Sequence, residues 1–215
     1  MIKKLFLLLI ITCLAFNVSC KKNNKYDSKI TQLRSDILKY ECEDFTLTTY
    51  VEIIETPILN DGKIGKTENL LTFKLKNKKP NENLENCSLS FTLNGQNYTA
   101  SFEFKQIPTL LNCHVTVSEL PTNTLDVSLT INGKSQTITL NSVKNKCTKN
   151  YNEVLKALEN EQDFSSKTTE NIELRIRLIN NDGYDYWYVG IIDNQSIISY
   201  LVDGETLETI AKKQD

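Results

Sequence analysis

The stretch SLSFTLNGQNYTASFEF, residues 88–104, contains an Asn-Gly pair between two runs of alternating apolar and polar residues. Asn94 and Gly95 favour the tight two-residue turn that matches the twist of paired strands, so the stretch predicts a β-hairpin. A second stretch, LDVSLTINGKSQTITL at residues 125–140, repeats this arrangement around Asn132 and Gly133. The two hairpins indicate that the middle of the chain is antiparallel β-structure.

Other segments with the two-residue period of a strand lie around these hairpins. Residues 45–53 and 70–75 alternate and are separated by an Asn-Asp-Gly turn signal at 60–62, and residues 114–120 form a short run that Pro121 stops. About seven short strands in about a hundred residues, with turn signals between them, are typical of a β-sandwich. We therefore expect a mainly β fold built around an immunoglobulin-like antiparallel β-sandwich.

The segment before these strands has apolar residues at helical spacing. Asp27 and Ser28 can cap a helix, and one stripe along the segment carries Ile30, Leu33, Ile37 and Leu38. We expect a helix from residue 27 to about residue 40 that docks on the β-sandwich. Helix and sandwich together form a predicted domain over residues 27–147.

The pattern changes after Cys147. Residues 148–159 carry apolar side chains at helical spacing, and alternating segments follow at 172–179, 186–192 and 197–202. The residues after Gly204 predict a final short helix that ends near Lys213. This order predicts a small α+β module over residues 148–215, composed of a helix, three antiparallel strands and a helix.

The first twenty residues, MIKKLFLLLIITCLAFNVSC, combine two early lysines, an apolar stretch and a cysteine after the small residue Ser19. The apolar stretch is too short for a full membrane span. This segment resembles a bacterial lipoprotein signal peptide. The resemblance implies removal of residues 1–19, acylation of Cys20 with chains such as palmitate, a linker over residues 20–26, and anchoring on the extracytoplasmic face of the bacterial cell membrane. An ordinary secretory signal, which would release the protein, is the alternative.

The end of the chain has a second resemblance. The segment VDGETLETI, residues 202–210, runs from a strand into an acidic turn followed by a threonine and an apolar residue. Residues 149–215 are similar in this respect to small α+β modules of the PepSY type. That resemblance implies a regulator or inhibitor of an envelope peptidase, which is the alternative function.

Once Cys13 in the signal and Cys20 at the lipid site are set aside, four cysteines remain, an even number that permits two disulfides with three pairings. The positions at strand starts and around the β-rich region favour Cys87–Cys113 and Cys42–Cys147. The alternative is that some or all of them are buried free thiols.

Few residues suggest catalysis. His114 is the only histidine, and a strand would point it away from its neighbour Cys113, so no catalytic dyad is expected. The chain has neither a glycine-rich phosphate-binding motif nor the Cys and His spacing of a zinc site. We expect no cofactor, no metal and no catalytic residue. A carboxylate-dependent hydrolase is a less favoured alternative, because no spacing singles out a pair of acids.

The formal net charge is −2, and no basic block follows Lys25, which argues against nucleic acid as a partner. Tyr186, Trp187 and Tyr188 form a dense aromatic group that could contact a ligand, or could pack within the module. The sequence thus predicts a membrane-anchored extracytoplasmic lipoprotein, a non-enzymatic binding module. Its expected partners are the membrane, through the lipid anchor, and an envelope protein, peptide or glycan.

Overall fold

The computed structural model describes residues 25–59, 64–79, 84–104, 110–167, 171–193 and 196–214. The predicted signal peptide, Cys20 and the turn at 60–62 lie outside them. Two helices, α1 (Tyr151–Leu158) and α2 (Gln162–Lys167), follow the ninth strand. The described strands are β1 (Ile30–Glu41), β2 (Phe45–Glu55), β3 (Thr67–Asn77), β4 (Ser88–Leu93), β5 (Gln96–Ser101), β6 (Glu103–Phe104), β7 (Leu110–Val117), β8 (Thr124–Ile131), β9 (Lys134–Ser142), β10 (Glu173–Asn181), β11 (Tyr184–Ile192), β12 (Ile197–Asp203) and β13 (Thr209–Gln214).

The fold is mainly β and sandwich-like with a small helical part, as the hairpins predict. Asn94 and Gly95 join β4 to β5 with φ values of 49° and 77°, and Asn132 and Gly133 join β8 to β9 with φ values of 50° and 77°. Positive φ at both central residues is the geometry of the tight hairpin turn, which Asn and Gly adopt at little cost.

The sandwich strands form a ring that is hydrogen-bonded from strand to strand except between β5 and β6, which the chain itself connects. One side runs β1-β2-β3-β7-β6, and the other runs β5-β4-β8-β9 and returns to β1. Phe102 lies between β5 and β6, and its N–H donates to the Cys87 carbonyl at 2.9 Å, so the chain passes there from one side to the other. The interior of the ring is the first hydrophobic core, whose fully buried members include Leu38, Leu47, Leu71, Phe73, Leu75, Leu129 and Leu140.

A second group of strands extends from the ring. β10 pairs in parallel with the first half of β1, and β11, β12 and β13 follow antiparallel. Both helices pack on one side of these strands, which is the same side of the sheet that faces the interior of the ring. They form a second core, which includes Val154, Leu155, Phe164, Leu174, Ile176, Trp187, Val189 and Tyr200. β13 is the edge strand, and all of its residues are exposed.

The predicted N-terminal helix is wrong, because residues 30–41 form strand β1. The register of β1 against β2 shifts between Arg34 and Asp36, so one extra residue is inserted there as a β-bulge. The bulge puts Leu33 and Leu38 on the same side of the sheet, five residues apart. An interrupted strand period of this kind imitates the spacing of an amphipathic helix.

The C-terminal module is partly as expected. Its first helix begins at a capping box in which the Asn150 side chain accepts from the N–H groups of Asn152 and Glu153. The three antiparallel strands β10, β11 and β12 follow. The predicted final helix is wrong, because residues 209–214 form β13 and supply hydrogen bonds to the otherwise free edge of β12.

The predicted disulfides are absent from the structure, in which all four described cysteines are free. Phe102 lies between Cys87 and Cys113. Its N–H donates to the Cys87 carbonyl, and the β6–β7 register places Cys113 beside it on the neighbouring strand. The Cys42 thiol donates to the Phe45 carbonyl at 3.6 Å, while Cys147 is exposed in a turn. The buried free thiol, the alternative stated for the sequence, describes Cys87 and Cys113.

The first testable prediction concerns thiol reactivity. Burial raises the pKa of Cys113 to about 12 and also raises that of Cys87, and only the thiolate reacts rapidly with alkylating agents. In the folded protein at pH 8, we expect iodoacetamide to modify the exposed Cys147 first and to leave Cys113 unmodified until urea unfolds the chain. Peptide mass mapping without reductant measures both. A disulfide-linked peptide containing Cys87 and Cys113 would contradict the prediction.

The second prediction concerns coupling of the two cores through β1. Leu129 lies in the first core and Leu155 in the second, and both are fully buried. We expect Leu129→Ala and Leu155→Ala each to lower the free energy of unfolding by about 3 kcal/mol. The only tryptophan, Trp187, reports unfolding of the second core by fluorescence. If Leu129→Ala leaves the urea transition of Trp187 unchanged, the cores are not coupled. Ile210→Ala on exposed β13 is the control.

Candidate binding face

One side of the sheet carries mainly polar and charged side chains. In strands β11, β10, β1, β2, β3 and β7, alternate residues point to this side, and the apolar Ile37, Ile54 and Leu70 lie among them. Ile37 and Tyr50 on this side also pack with the second core. Both helices and the second half of the ring pack on the opposite side. We call this surface the open face, and it comprises Gln32, Arg34, Tyr50, Glu52, Thr72, Lys74, Asn112, His114, Arg175, Arg177 and Tyr188.

Glu52 is the centre of the hydrogen bonding on the open face. It is only 3% exposed. Its Oε1 accepts from Gln32 Nε2 and from Arg34 Nε, both at 3.0 Å, and its Oε2 accepts from the Thr72 hydroxyl at 3.3 Å. The Thr72 hydroxyl also lies 3.1 Å from His114 Nδ1. A buried carboxylate is tolerated only with such partners, so Glu52 fixes the side chains of β1, β2 and β3 relative to one another.

Tyr50 carries two cations over its ring. The Arg34 guanidinium carbon lies 3.9 Å from the ring centroid, and Lys74 Nζ lies 4.7 Å from it. Each such cation–π contact contributes about 0.5–1 kcal/mol at an exposed site. The Tyr50 ring thus positions both cations at the surface of the sheet, and of the two only Arg34 also has a carboxylate partner among the described residues, Glu52.

Arg177 lies beside this group on β10. Its Nε donates to Gln32 Oε1 at 2.8 Å, and its guanidinium carbon lies 5.6 Å from the Tyr188 ring. The Tyr188 hydroxyl is 3.0 Å from the Ser199 hydroxyl. An ideal Cβ at Gly190 would lie 2.8 Å from the Tyr188 hydroxyl, so the absence of a side chain there lets Tyr188 lie along the sheet beside Arg177.

A second buried carboxylate lies at the far end of β10. Glu173 is fully buried, and its Oε2 accepts from the Thr31 hydroxyl at 3.3 Å and from Arg175 Nη2 at 3.4 Å. Arg175 also donates to the Leu59 carbonyl at 3.4 Å, so the loop after β2 touches this end of the open face.

Lysines dominate the opposite end of the same face. A shallow groove of about 360 Å³ lies there, next to Tyr50 and Lys74. The ammonium groups of Lys39 and Lys78 both contact Glu41, and they lower the pKa of Glu41 to about 2. Glu41 therefore stays ionised throughout the physiological pH range. Lys76 also lines the groove and is exposed.

The structure separates the three aromatic residues that the sequence grouped as a ligand contact. Trp187 is 1% exposed and lies in the second core, where its Nε1 donates to the Lys149 carbonyl at 3.0 Å. It cannot touch a ligand at the surface of this structure, because residue alternation points it under the helices. Tyr186 and Tyr188 point to the other side, and Tyr188 belongs to the open face.

His114 and Cys113 point to opposite sides of β7, as strand alternation predicts. Cys113 lies in the first core, and His114 is exposed on the open face. Within the described part of the chain, no group of three or more His, Cys, Asp or Glu side chains is placed to hold a metal ion. Among the described helices, none is long and apolar enough to cross a membrane.

The residues that dominate the open face are not among those predicted from the sequence to contact a ligand. Arg34 falls within the segment predicted to be a helix, and Glu52, Arg175 and Arg177 fall within alternating segments predicted to be strands. The available signal was the set of charged residues at alternate positions of β10, in the segment ELRIRL. The connection to Arg34 and Glu52 depends on the parallel pairing of β1 with β10, which no local pattern reveals.

No known protein family matches the chain, and comparisons with curated proteins and with solved structures find no match. Its function must therefore be inferred from the chemistry of its own residues.

The third prediction tests the role of Glu52. In Glu52→Gln the neutral side chain no longer balances Arg34, whose side chain is 19% exposed. Loss of one partner from a buried pair costs about 3 kcal/mol, so we expect the free energy of unfolding to fall by that amount in urea denaturation. Glu68→Gln, which breaks the exposed pair with Lys66, is the control and should leave the midpoint within error. Equal effects of the two substitutions would contradict the central role of Glu52.

Proposed function

We propose that the protein is a membrane-anchored extracytoplasmic lipoprotein whose open face binds a partner at the cell surface, without catalysis. The N-terminal resemblance to lipoprotein signals supports the anchor at Cys20. The observation that carries the binding role is the open face itself. It is a sheet surface opposite the helices on which arginine and tyrosine side chains are held in place by hydrogen bonds.

Such a surface has the composition of a binding site. Arginine and tyrosine are enriched among residues that contribute most to binding, because each combines a large contact area with directional hydrogen bonding. The bond from Arg34 to Glu52 and the bond from Arg177 to Gln32 restrict both arginines before a partner arrives. Side chains that are already ordered lose less entropy on binding.

The buried carboxylates support binding rather than hydrolysis. A hydrolase of the carboxylate type needs one acid that holds a proton and a second that is ionised. Glu52 contacts Arg34, and Glu173 contacts Arg175, so one oxygen of each carboxylate is already bonded to an arginine within the fold.

The fourth prediction tests the face directly. A photoreactive benzoylphenylalanine replaces His114 on the open face or, as the matched control, Asn152, which is exposed on α1 on the other side of the sheet. Irradiation of intact cells of the source organism should give a defined cross-linked product from position 114 and none from position 152. Products from both positions, or from neither, would contradict the proposed face.

The same cells test the lipid anchor, because an anchored protein is recovered in the membrane fraction. Cys20→Ser removes the acceptor of the acyl chains, and we expect the variant to lose its membrane association, as measured by fractionation and intact mass. An unchanged membrane fraction would contradict lipidation at Cys20. A peptidase as the cross-linked product would select the regulatory alternative.

A further inference from the structure

Two of the three arginines of the open face are neutralised within the fold. Arg34 Nη2 lies 3.0 Å from Glu52 Oε1, and Arg175 Nη2 lies 3.4 Å from Glu173 Oε2. Both carboxylates are almost completely buried. These pairs form the fixed framework of the face, and their charges are already balanced.

Three other cations have no carboxylate partner among the described residues. Arg177 bonds only to Gln32, through Nε, and its two terminal amines make no hydrogen bond there. Lys74 lies over the Tyr50 ring, and Lys76, two residues further along β3, makes no ion pair. These three cations lie on one face of a chain whose net charge is −2.

Arg177 stands directly opposite Arg34 in the parallel ladder, and like charges at opposed positions destabilise a sheet. The Glu52 carboxylate that is bonded to Arg34 also attracts Arg177 and offsets part of this repulsion. Burial, and then the nearby Arg34 charge, lower the pKa of Arg177, although a guanidinium remains protonated in proteins. A bound anion would remove this repulsion and occupy the unused amines.

Asn112 supplies a second and independent indication of a ligand. It is 9% exposed, it lies beside Lys74 in the β3–β7 register, and its Oδ1 has no hydrogen-bond donor within the described chain. A buried acceptor without a donor costs about 1–3 kcal/mol. Oδ1 has almost no solvent-accessible surface, so a donor reaches it once the Asn112 side chain turns outward; a peptide N–H is such a donor, and a fully ionised phosphate or sulfate is not.

We propose that the open face binds an extended acidic peptide segment of a partner protein, with one carboxylate on Arg177, others on Lys74 and Lys76, and a donor to Asn112. This inference rests on the proposed binding function and names the chemistry of the partner.

The separation of the cations sets the length of the segment. Arg177 and Lys74 are three strand spacings apart, about 14 Å, and four residues apart along the strands, about 13 Å. One small anion cannot bind both, whereas an extended peptide of about six residues can. Glu103 on β6 marks the far end of the proposed peptide site. It lies beyond Asn112 and makes no ion pair within the described part of the chain.

The fifth prediction uses a fluorescein-labelled peptide of four Glu-Thr repeats, whose carboxylates share one side when the peptide is extended. Fluorescence anisotropy with the full chain in detergent should show binding, and four Gln-Thr repeats should not bind. We expect Arg177→Gln to weaken binding at least tenfold and Lys74→Gln several-fold. Lys156→Gln on α1 makes the same charge change on the other side of the sheet and should leave affinity within twofold. Near-UV circular dichroism and Trp187 fluorescence check that each variant is folded.

Two variants separate specific recognition from simple charge. Arg177→Lys keeps the charge without the two terminal amines and should recover only part of the affinity. Asn112→Leu should weaken the peptide several-fold without affecting tripolyphosphate, which has no donor for that position. Equal affinity of Arg177→Gln and Lys156→Gln would overturn the proposal. Tighter, Arg177-dependent binding of tripolyphosphate than of the peptide would also overturn it, in favour of a phosphate polymer.

The outcome for the inference is distinct from that for the proposed function. If position 114 forms its cross-link in cells and excess Glu-Thr peptide does not compete with it, the binding face stands and the acidic-peptide inference fails. If the peptide binds in vitro with the expected variant pattern and no cross-link forms in cells, the inference stands and the proposed cellular function fails.

Discussion

The whole architecture depends on the hydrogen bonding of one strand, β1. One edge of β1 pairs with β2 along its length, and the other edge is divided, with β10 on its first half and β9 on its second. The ring of the sandwich closes at β9, and the C-terminal strands begin at β10. The same twelve residues therefore supply Leu38 to the first core and Leu33 to the second. Loss of β1 would open the ring and detach the C-terminal strands at once.

This sharing also creates the open face. Because β10 and β1 are parallel neighbours, side chains from two distant parts of the sequence, Arg177 and Arg34, become adjacent. Buried charged groups are costly, and a core of aliphatic residues is often as stable as a buried ion pair. The retention of Glu52 and Glu173 beneath arginines is therefore better explained by the orientation of those arginines than by stability.

The fold was predictable wherever local chemistry decides structure. The Asn-Gly turns, the alternation of the hairpin strands and the helical spacing within residues 148–159 act over a few residues, and all three are present. Where distant pairing decides, sequence reasoning failed. The bulge in β1 disguised a strand as a helix, and the free edge of β12 recruited residues 209–214 as a strand. Of the predicted ligand contacts, Tyr188 lies on the open face but Trp187 does not. Arg177 was beyond prediction, because its surroundings exist only once β1 and β10 have paired.

The last strand has a consequence for a protein held at high density on a surface. β13 ends the described sheet with an unpaired, exposed edge, and an edge of this kind is a template for strands of neighbouring molecules. The exposed apolar side chain of Ile210 makes such pairing with a neighbouring molecule more favourable. The charged side chains of Lys212, which pairs with Asp163, and Lys213 lie along the same edge, so a copy that approaches this edge would have to desolvate charged groups. These lysines act as gatekeepers against aggregation, a role separate from the stability or binding of the single molecule.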